Sequence, residues 1–183
     1  MVSGIKTRLP IVGVMGSGSS AHKDRAAALG EWLAGEAVHL LTGGGGGVME
    51  SVSRAFYEVP HRKGLVIGII PGTAAHPDCT SPPGYPNPWV EIPIYTHLPL
   101  SGVRGTEPLS RNHINILSSH VIIALPGSHG TAAEVALAID YGRPVIAFLD
   151  SRKEIDDLPD STRVESDFKE IKNFVRACIR AGN

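Results

Sequence analysis

Short apolar runs recur along the chain and alternate with longer stretches whose apolar residues return at helical spacing. The runs cover residues 10–15 (PIVGVM), 37–42, 65–70, 121–125 and 145–149. They are rich in Val and Ile and apolar on both faces, as expected for strands of a parallel sheet covered on both sides. Between them, Ala27, Ala28, Leu29, Trp32 and Leu33 give a helix over about residues 21–35 its apolar face. Met49, Val52, Ala55 and Phe56 do the same for a helix starting near Val48. Further helices are predicted over residues 109–119 and 131–141. A final one carries Phe168, Ile171, Val175, Cys178 and Ile179 on one face, with Ser166 as its cap. Residues 89–95 and 162–165 add short strands. The alternation predicts a single-domain, doubly wound, Rossmann-like α/β fold over residues 1–183. It has about six or seven parallel strands, with helices on both faces. Ligands are expected at the carboxyl ends of the strands.

The stretch HVIIALPGSHGTAAE, residues 120–134, concentrates the candidate chemistry. Pro126 ends the strand because it has no N–H to donate. Gly127 and Gly130 let the backbone turn and approach a ligand closely. Thr131 is expected to open a helix whose free N–H groups and positive dipole end make an anion site, for which phosphate is the usual guest. Glu134 follows one turn later. Two more glycine-bearing loops follow strands, GSGSS at 16–20 and GGGGG at 43–47. All three fall on one edge of the sheet and are expected to line one crevice. The first fits the loose dinucleotide pattern G-x-G-x-x-G/A, but the second strand ends Leu40-Leu41-Thr42-Gly43 with no acid for a ribose. That argues against NAD or FAD. The second loop lacks Gly-Lys-Ser/Thr and is not a Walker A loop. Residues 73–88, with Pro77, Pro82, Pro83, Pro86 and Pro88, and residues 98–108 form long irregular segments expected to shape the pocket. Residues 150–161 read as a charged, exposed connection.

Composition narrows the partners. Seventeen basic against eighteen acidic residues give a net charge of −1 with no basic block, which disfavours nucleic acid and anionic membranes. Cys79 and Cys178 make no disulfide framework. No run approaches the ~20 apolar residues of a membrane span. A soluble, cytoplasmic protein is expected. His76, Asp78 and Cys79 have loosely metal-like chemistry, but without a second ligand cluster no metal site is expected.

Four motifs occur in order: TGGGGGVME (residues 42–50), IGIIPG (67–72), SRNHIN (110–115) and PGSHGTAAE (126–134). Together they resemble the Lonely Guy family, the lysine-decarboxylase-like Rossmann proteins, whose signature is PGGxGTxxE preceded by an Arg on the helix before the strand. The resemblance spans about residues 11–149. It implies a homodimeric enzyme that cleaves nucleoside 5′-monophosphates, such as AMP or cytokinin ribotides, to base and ribose 5-phosphate. A sister branch consists of carriers of the molybdenum cofactor, a phosphate-bearing pterin; GGVME and the Asn-Pro within residues 86–88 resemble that branch at least as well. Matched position by position, Arg111 and Glu134 fall on the catalytic Arg and Glu. Gly127, Gly130 and Thr131 fall on phosphate-binding positions. Gly16, Ser17, Gly43, Gly44, Gly45, Asn112, Ser128 and His129 complete the candidate binding set. Two positions depart from the pattern: Ser128 replaces the second Gly of PGG, and Asn112 replaces the Lys that follows the Arg.

In the enzyme reading, Glu134 stabilises positive charge growing at C1′, activates water or attacks, as carboxylates do in glycosidases. Arg111 orients Glu134 and keeps it ionised. The loop amides and Thr131 hold the 5′-phosphate, and neither cofactor nor metal is required. In the second reading the same loop holds a nucleotide or the molybdenum cofactor without turnover. Each residue also has a structural alternative. Glu134 completes a capping box with Thr131, Arg111 forms a surface salt bridge, and His129 is exposed on its loop. Met15 and Met49 either line a base pocket or pack in the core. Lysine decarboxylation is rejected, since it wants a pyridoxal phosphate Schiff-base lysine and none of the lysines sits in a motif loop.

Overall fold

Seven parallel strands form one sheet in the order β4-β3-β2-β1-β5-β6-β7. They are β1 (Ile11–Met15), β2 (His39–Thr42), β3 (Val66–Ile70), β4 (Ile92–Tyr95), β5 (Val121–Ala124), β6 (Val145–Phe148) and β7 (Val164–Glu165). Five α-helices alternate with them: α1 (Lys23–Gly35), α2 (Val48–Glu58), α3 (Asn112–Ser118), α4 (His129–Asp140) and α5 (Phe168–Ala181). The computed structural model describes residues 8–73 and 81–181. The expected Rossmann-like sheet is therefore present, at the upper end of the expected strand number. Among the described residues, no helix is long and apolar enough to cross a membrane.

The core lies on both faces, as the two-sided apolar strands require. Leu29 and Leu33 of α1, Val52 and Phe56 of α2, and Ile171 and Val175 of α5 cover Val12, Val14, Leu40 and Ile123 on one face. Ile116 of α3 and Leu137 and Ala138 of α4 cover Leu41, Ile67, Ile69 and Ile122 on the other. Each buried aliphatic side chain contributes roughly 1.5–3 kcal/mol relative to exposure, so the strands are held by contact on both sides rather than by their short ladders. Edge strand β4 is the exception, with Ile92, Ile94 and Tyr95 exposed.

The order matters for the site. From β1 the chain winds outward through β2, β3 and β4, then returns to place β5 on the other side of β1. The crevice opens at such a reversal, outside the carboxyl ends of β1 and β5.

Three local expectations are corrected. Helix α4 begins at His129 rather than Thr131, with Ser128 as its extended N-cap. The N–H groups of Thr131 and Ala132 already bond to the Ser128 carbonyl, at 2.9 and 3.1 Å. The start of α5 is capped by Asp167, not Ser166: its Oδ1 accepts the Lys169 N–H at 2.8 Å. Residues 150–161 are not merely an exposed connection. A 3₁₀ turn, Arg152–Glu154, is closed by a Ser151–Glu154 capping box, and Ile155 and Leu158 are buried. The Gly127 N–H bonds to the Glu154 carbonyl at 2.9 Å, tying this segment to the loop after β5.

Candidate functional site

A cleft of about 190 Å³ opens where the sheet order reverses. The loop after β1 contributes Gly16, Ser17 and Gly18, the loop after β5 and the start of α4 contribute Ser128, Gly130, Thr131 and Glu134, and α3 and its cap contribute Arg111 and Asn112. The two irregular segments supply Tyr85, Ser101 and Gly102, and Met15 and Met49 complete the wall.

The two flanking loops are braced against each other. The Ser17 N–H donates to the Pro126 carbonyl at 3.0 Å, and the Val48 N–H to the Ser17 carbonyl at 2.8 Å. The Ser17 hydroxyl turns back to accept the Ser20 N–H at 2.9 Å. Past Gly127 the backbone changes character. The N–H groups of Ser128, His129 and Gly130 meet no acceptor among the described residues, as expected of the first turn of a helix. Thr131, on the third residue of α4, is buried and faces the cleft. The open amides thus belong to the N-cap and the first two residues of α4, ahead of Thr131, where the sequence pattern placed the helix start.

Arg111 and Glu134 come together in this cleft. Arg111 is only 4% exposed, and its Nε and Nη1 have no hydrogen-bond partner among the described residues. Its guanidinium lies over the Tyr85 ring, 6.0 Å from the centroid. Among the described residues Arg111 therefore does not form the surface salt bridge of the alternative reading. Glu134 is also buried and accepts a hydrogen bond from Asn115 Nδ2 at 3.2 Å. The capping-box alternative fails too, because the helix starts earlier and Glu134 sits on its sixth residue rather than its third. One expectation about the pair is overturned. Arg111 does not keep Glu134 ionised at low pH: burial pushes the carboxyl up to about 7, against the opposing pull of Arg111 and Asn115. Desolvation outweighs both, because the carboxyl has lost its hydration and the opposing pulls of Arg111 and Asn115 are the smaller causes.

The loop after β2 behaves differently from its neighbours. Gly43, Gly44 and Gly45 do not line the cleft but stand behind it. A Cβ on Gly43 would lie 2.2 Å from Arg111 Nη1, and one on Gly45 would lie 2.6 Å from Tyr85 Cζ. The Gly44 carbonyl accepts the Asn87 N–H at 2.8 Å, and the Gly45 carbonyl accepts Asn87 Nδ2 at 2.9 Å. These glycines seat side chains. His129 is turned outward, with Nδ1 3.0 Å from Asp157 Oδ2. Met15 and Met49 are buried, as the packing alternative expects, and also border the cleft.

Tyr85, Ser101, Gly102 and Asn115 were not among the sequence candidates. Tyr85 lies in the proline-rich segment and Ser101 and Gly102 in the second irregular one, and nothing in their local pattern says which residue turns inward. Asn115 is four residues after Arg111, one turn along the same helix face. His76, Asp78 and Cys79 lie outside the described residues. Among the described residues, no group of three or more His, Cys, Asp or Glu could hold a metal ion.

Comparison with known proteins places this geometry. The model of the SLOG cluster4 family matches residues 9–174. The molybdenum cofactor binding protein from the phototrophic bacterium Rippkaea orientalis has a similar structure, with 31% identity and a TM-score of 0.70; the match covers 95% of this chain and 99% of that one. The Moco carrier protein from Chlamydomonas reinhardtii is 30% identical with a TM-score of 0.71, over 95% of this chain and 99% of that one. An uncharacterized protein of Archaeoglobus fulgidus is 29% identical over 140 residues, 75% of this chain and 79% of that protein.

Proposed function

The chain belongs to the SLOG cluster4 family, and from that premise we propose that it binds and carries a phosphate-bearing, ring-containing small molecule of the molybdenum-cofactor type. The observation that carries this reading is the unpartnered Arg111. A guanidinium this buried, with two nitrogens lacking an acceptor, is costly unless an anion completes it. The open amides of Ser128, His129 and Gly130 offer the same ligand a place for its phosphate. The similarity to two proteins described as binding or carrying the molybdenum cofactor supports the same ligand class.

Hydrolysis of a nucleoside 5′-monophosphate is the second reading, favoured by Glu134 facing the cleft beside Arg111. Glu134 would stabilise C1′ only as a carboxylate. Burial raises its carboxyl to about 7, a value that a general acid or base also shows, so the choice between the readings rests on direct measurement.

Two measurements on purified protein separate the readings. Native mass spectrometry, as purified and after incubation with molybdopterin, is expected to show a retained ligand. Incubation with AMP is expected to release no ribose 5-phosphate above a Glu134→Ala control. Release that this substitution abolishes would replace carriage by hydrolysis. Absence of both binding and release would reject the phosphate-ligand reading itself.

A further inference from the structure

We propose that Tyr85 is the residue that selects the ring of the ligand, stacking on a planar heteroaromatic system such as a pterin or purine, and that the glycine loop after β2 serves to seat it. The proposal rests on the reading that the cleft binds a phosphate-anchored small molecule.

The cleft wall divides by chemistry. The loops after β1 and β5 present amides, hydroxyls and Arg111, suited to a phosphate and its attached polar groups. Among the described residues, the large apolar surfaces bordering the cleft are Met15, Met49 and Tyr85. Both methionines are buried, at 1% and 7% exposure. Tyr85 is partly exposed and, among the described residues, is the sole aromatic side chain on the wall. A planar ligand ring brought into the cleft by its phosphate therefore finds one π-face in it.

The backbone behind Tyr85 is built to hold that face in place. The ring lies so close to Gly45 that a Cβ there would stand 2.6–2.8 Å from three of its atoms. Two residues later, Asn87 is 4% exposed. It is fixed by its N–H to the Gly44 carbonyl and its Nδ2 to the Gly45 carbonyl, and its own Oδ1 accepts the Trp89 N–H at 3.1 Å. Arg111 lies 6.0 Å from the ring centroid, at the outer limit of a cation–π contact. A ring fixed in advance stacks without losing rotamer freedom on binding. Aromatic stacking is sequence-tolerant and dispersive, which suits a ligand recognised by ring shape rather than by a donor–acceptor code.

The test compares ligands with and without a ring. Affinities of wild type, Tyr85→Phe, Tyr85→Leu and Tyr85→Ala are measured by titration calorimetry for molybdopterin, AMP and ribose 5-phosphate. Wild type is expected to bind at least one ring-bearing ligand more tightly than ribose 5-phosphate. Tyr85→Ala and Tyr85→Leu should erase that advantage, on the order of tenfold or more in Kd, while ribose 5-phosphate binding changes less than about twofold. Tyr85→Phe should keep the advantage. Equal losses for ribose 5-phosphate and the ring-bearing ligands would overturn the proposal and assign Tyr85 to positioning Arg111. An advantage that survives in Tyr85→Ala would overturn it as well. Wild type that binds none of the three ligands would instead remove the phosphate-ligand reading on which the proposal stands.

Discussion

The loops after β2 and β5 carry the same sequence signal and do different work. Both are glycine-bearing turns from a buried parallel strand into a helix. After β5, the amides of Ser128, His129 and Gly130 meet no acceptor among the described residues, and Ser128 and Gly130 line the cleft. After β2, the carbonyls of Gly44 and Gly45 are engaged by Asn87, and the Cα faces of Gly43 and Gly45 lie under Arg111 and Tyr85. The helices that follow differ in the same way: Glu134 of α4 is buried in the cleft, whereas Glu50 in the first turn of α2 is exposed. The difference follows from strand order. β5 borders the reversal of the sheet next to β1, and β2 stands one strand away on the far side of β1. A glycine loop lines the cleft when the topology brings it to the reversal, and otherwise becomes packing for the side chains that do reach it.

The largest expected effect lies where the two loops meet, at Arg111. Arg111→Met removes the cation and keeps apolar bulk. Affinity for a phosphate-bearing ligand should fall by roughly 10- to 150-fold, the value of a charge-assisted hydrogen bond to a buried group. Thermal stability should hold or rise, because the free protein loses a desolvated charge with two unpartnered nitrogens. Calorimetric titration and a melting curve read the two sides. A stability loss without an affinity loss would make Arg111 a structural residue and dissolve the contrast between the loops.

Glu134 sharpens the β5 side through pH. Its folded pKa is raised from 4.5 to about 7, chiefly by burial. Between those values the unfolded chain has released a proton that the folded chain retains. Stability should therefore fall as pH rises from about 4.5 to 7, with the full cost present above 7. The size is on the order of 3 kcal/mol at most. Glu134→Gln should flatten this slope in denaturant titrations across that range. An unchanged slope would mean that Glu134 is hydrated and ionised, and would favour it as a candidate for C1′ chemistry.

Gly43→Ala tests the β2 side. The new Cβ would meet the Arg111 guanidinium rather than any ligand. Overpacking here should cost about 1–3 kcal/mol of stability and weaken phosphate binding by displacing Arg111. The double variant Gly43→Ala/Arg111→Met should recover much of the stability, because the unbranched methionine side chain has no planar head to clash. Additive losses in a double-mutant cycle would show that Gly43 contacts something else.

The fold was legible because its central strands are apolar on both faces and its helices are not, and that pattern survives without side-chain detail. Arg111 and Glu134 were legible through the motifs they share with a known family. The pairing chemistry between them was not, because a carboxyl's pKa depends on how much water the folded chain leaves it. The start of α4 was misplaced by two residues because Thr131 is a good N-cap by type, while the extended Ser128 backbone takes that place. Tyr85 was out of reach for a different reason. Its inward turn is fixed by Asn87 binding carbonyls more than 40 residues earlier, a contact that no local pattern encodes.

His129 gives the smallest expected effect and isolates backbone from side chain in the loop after β5. Sequence matching placed it in the binding set, yet its imidazole is half-exposed and paired with the exposed Asp157. A pair of that kind contributes about 0–1 kcal/mol. The amide of His129 remains whatever side chain follows it, so His129→Ala should leave phosphate binding within about twofold and barely move the melting temperature. A Pro at the same position would delete the amide. Position 129 is the first residue of the helix, where Pro is tolerated, so His129→Pro should fold while losing part of its phosphate affinity. If Ala costs as much affinity as Pro, the side chain and not the backbone binds the anion, and the open amides after β5 lose their assigned role.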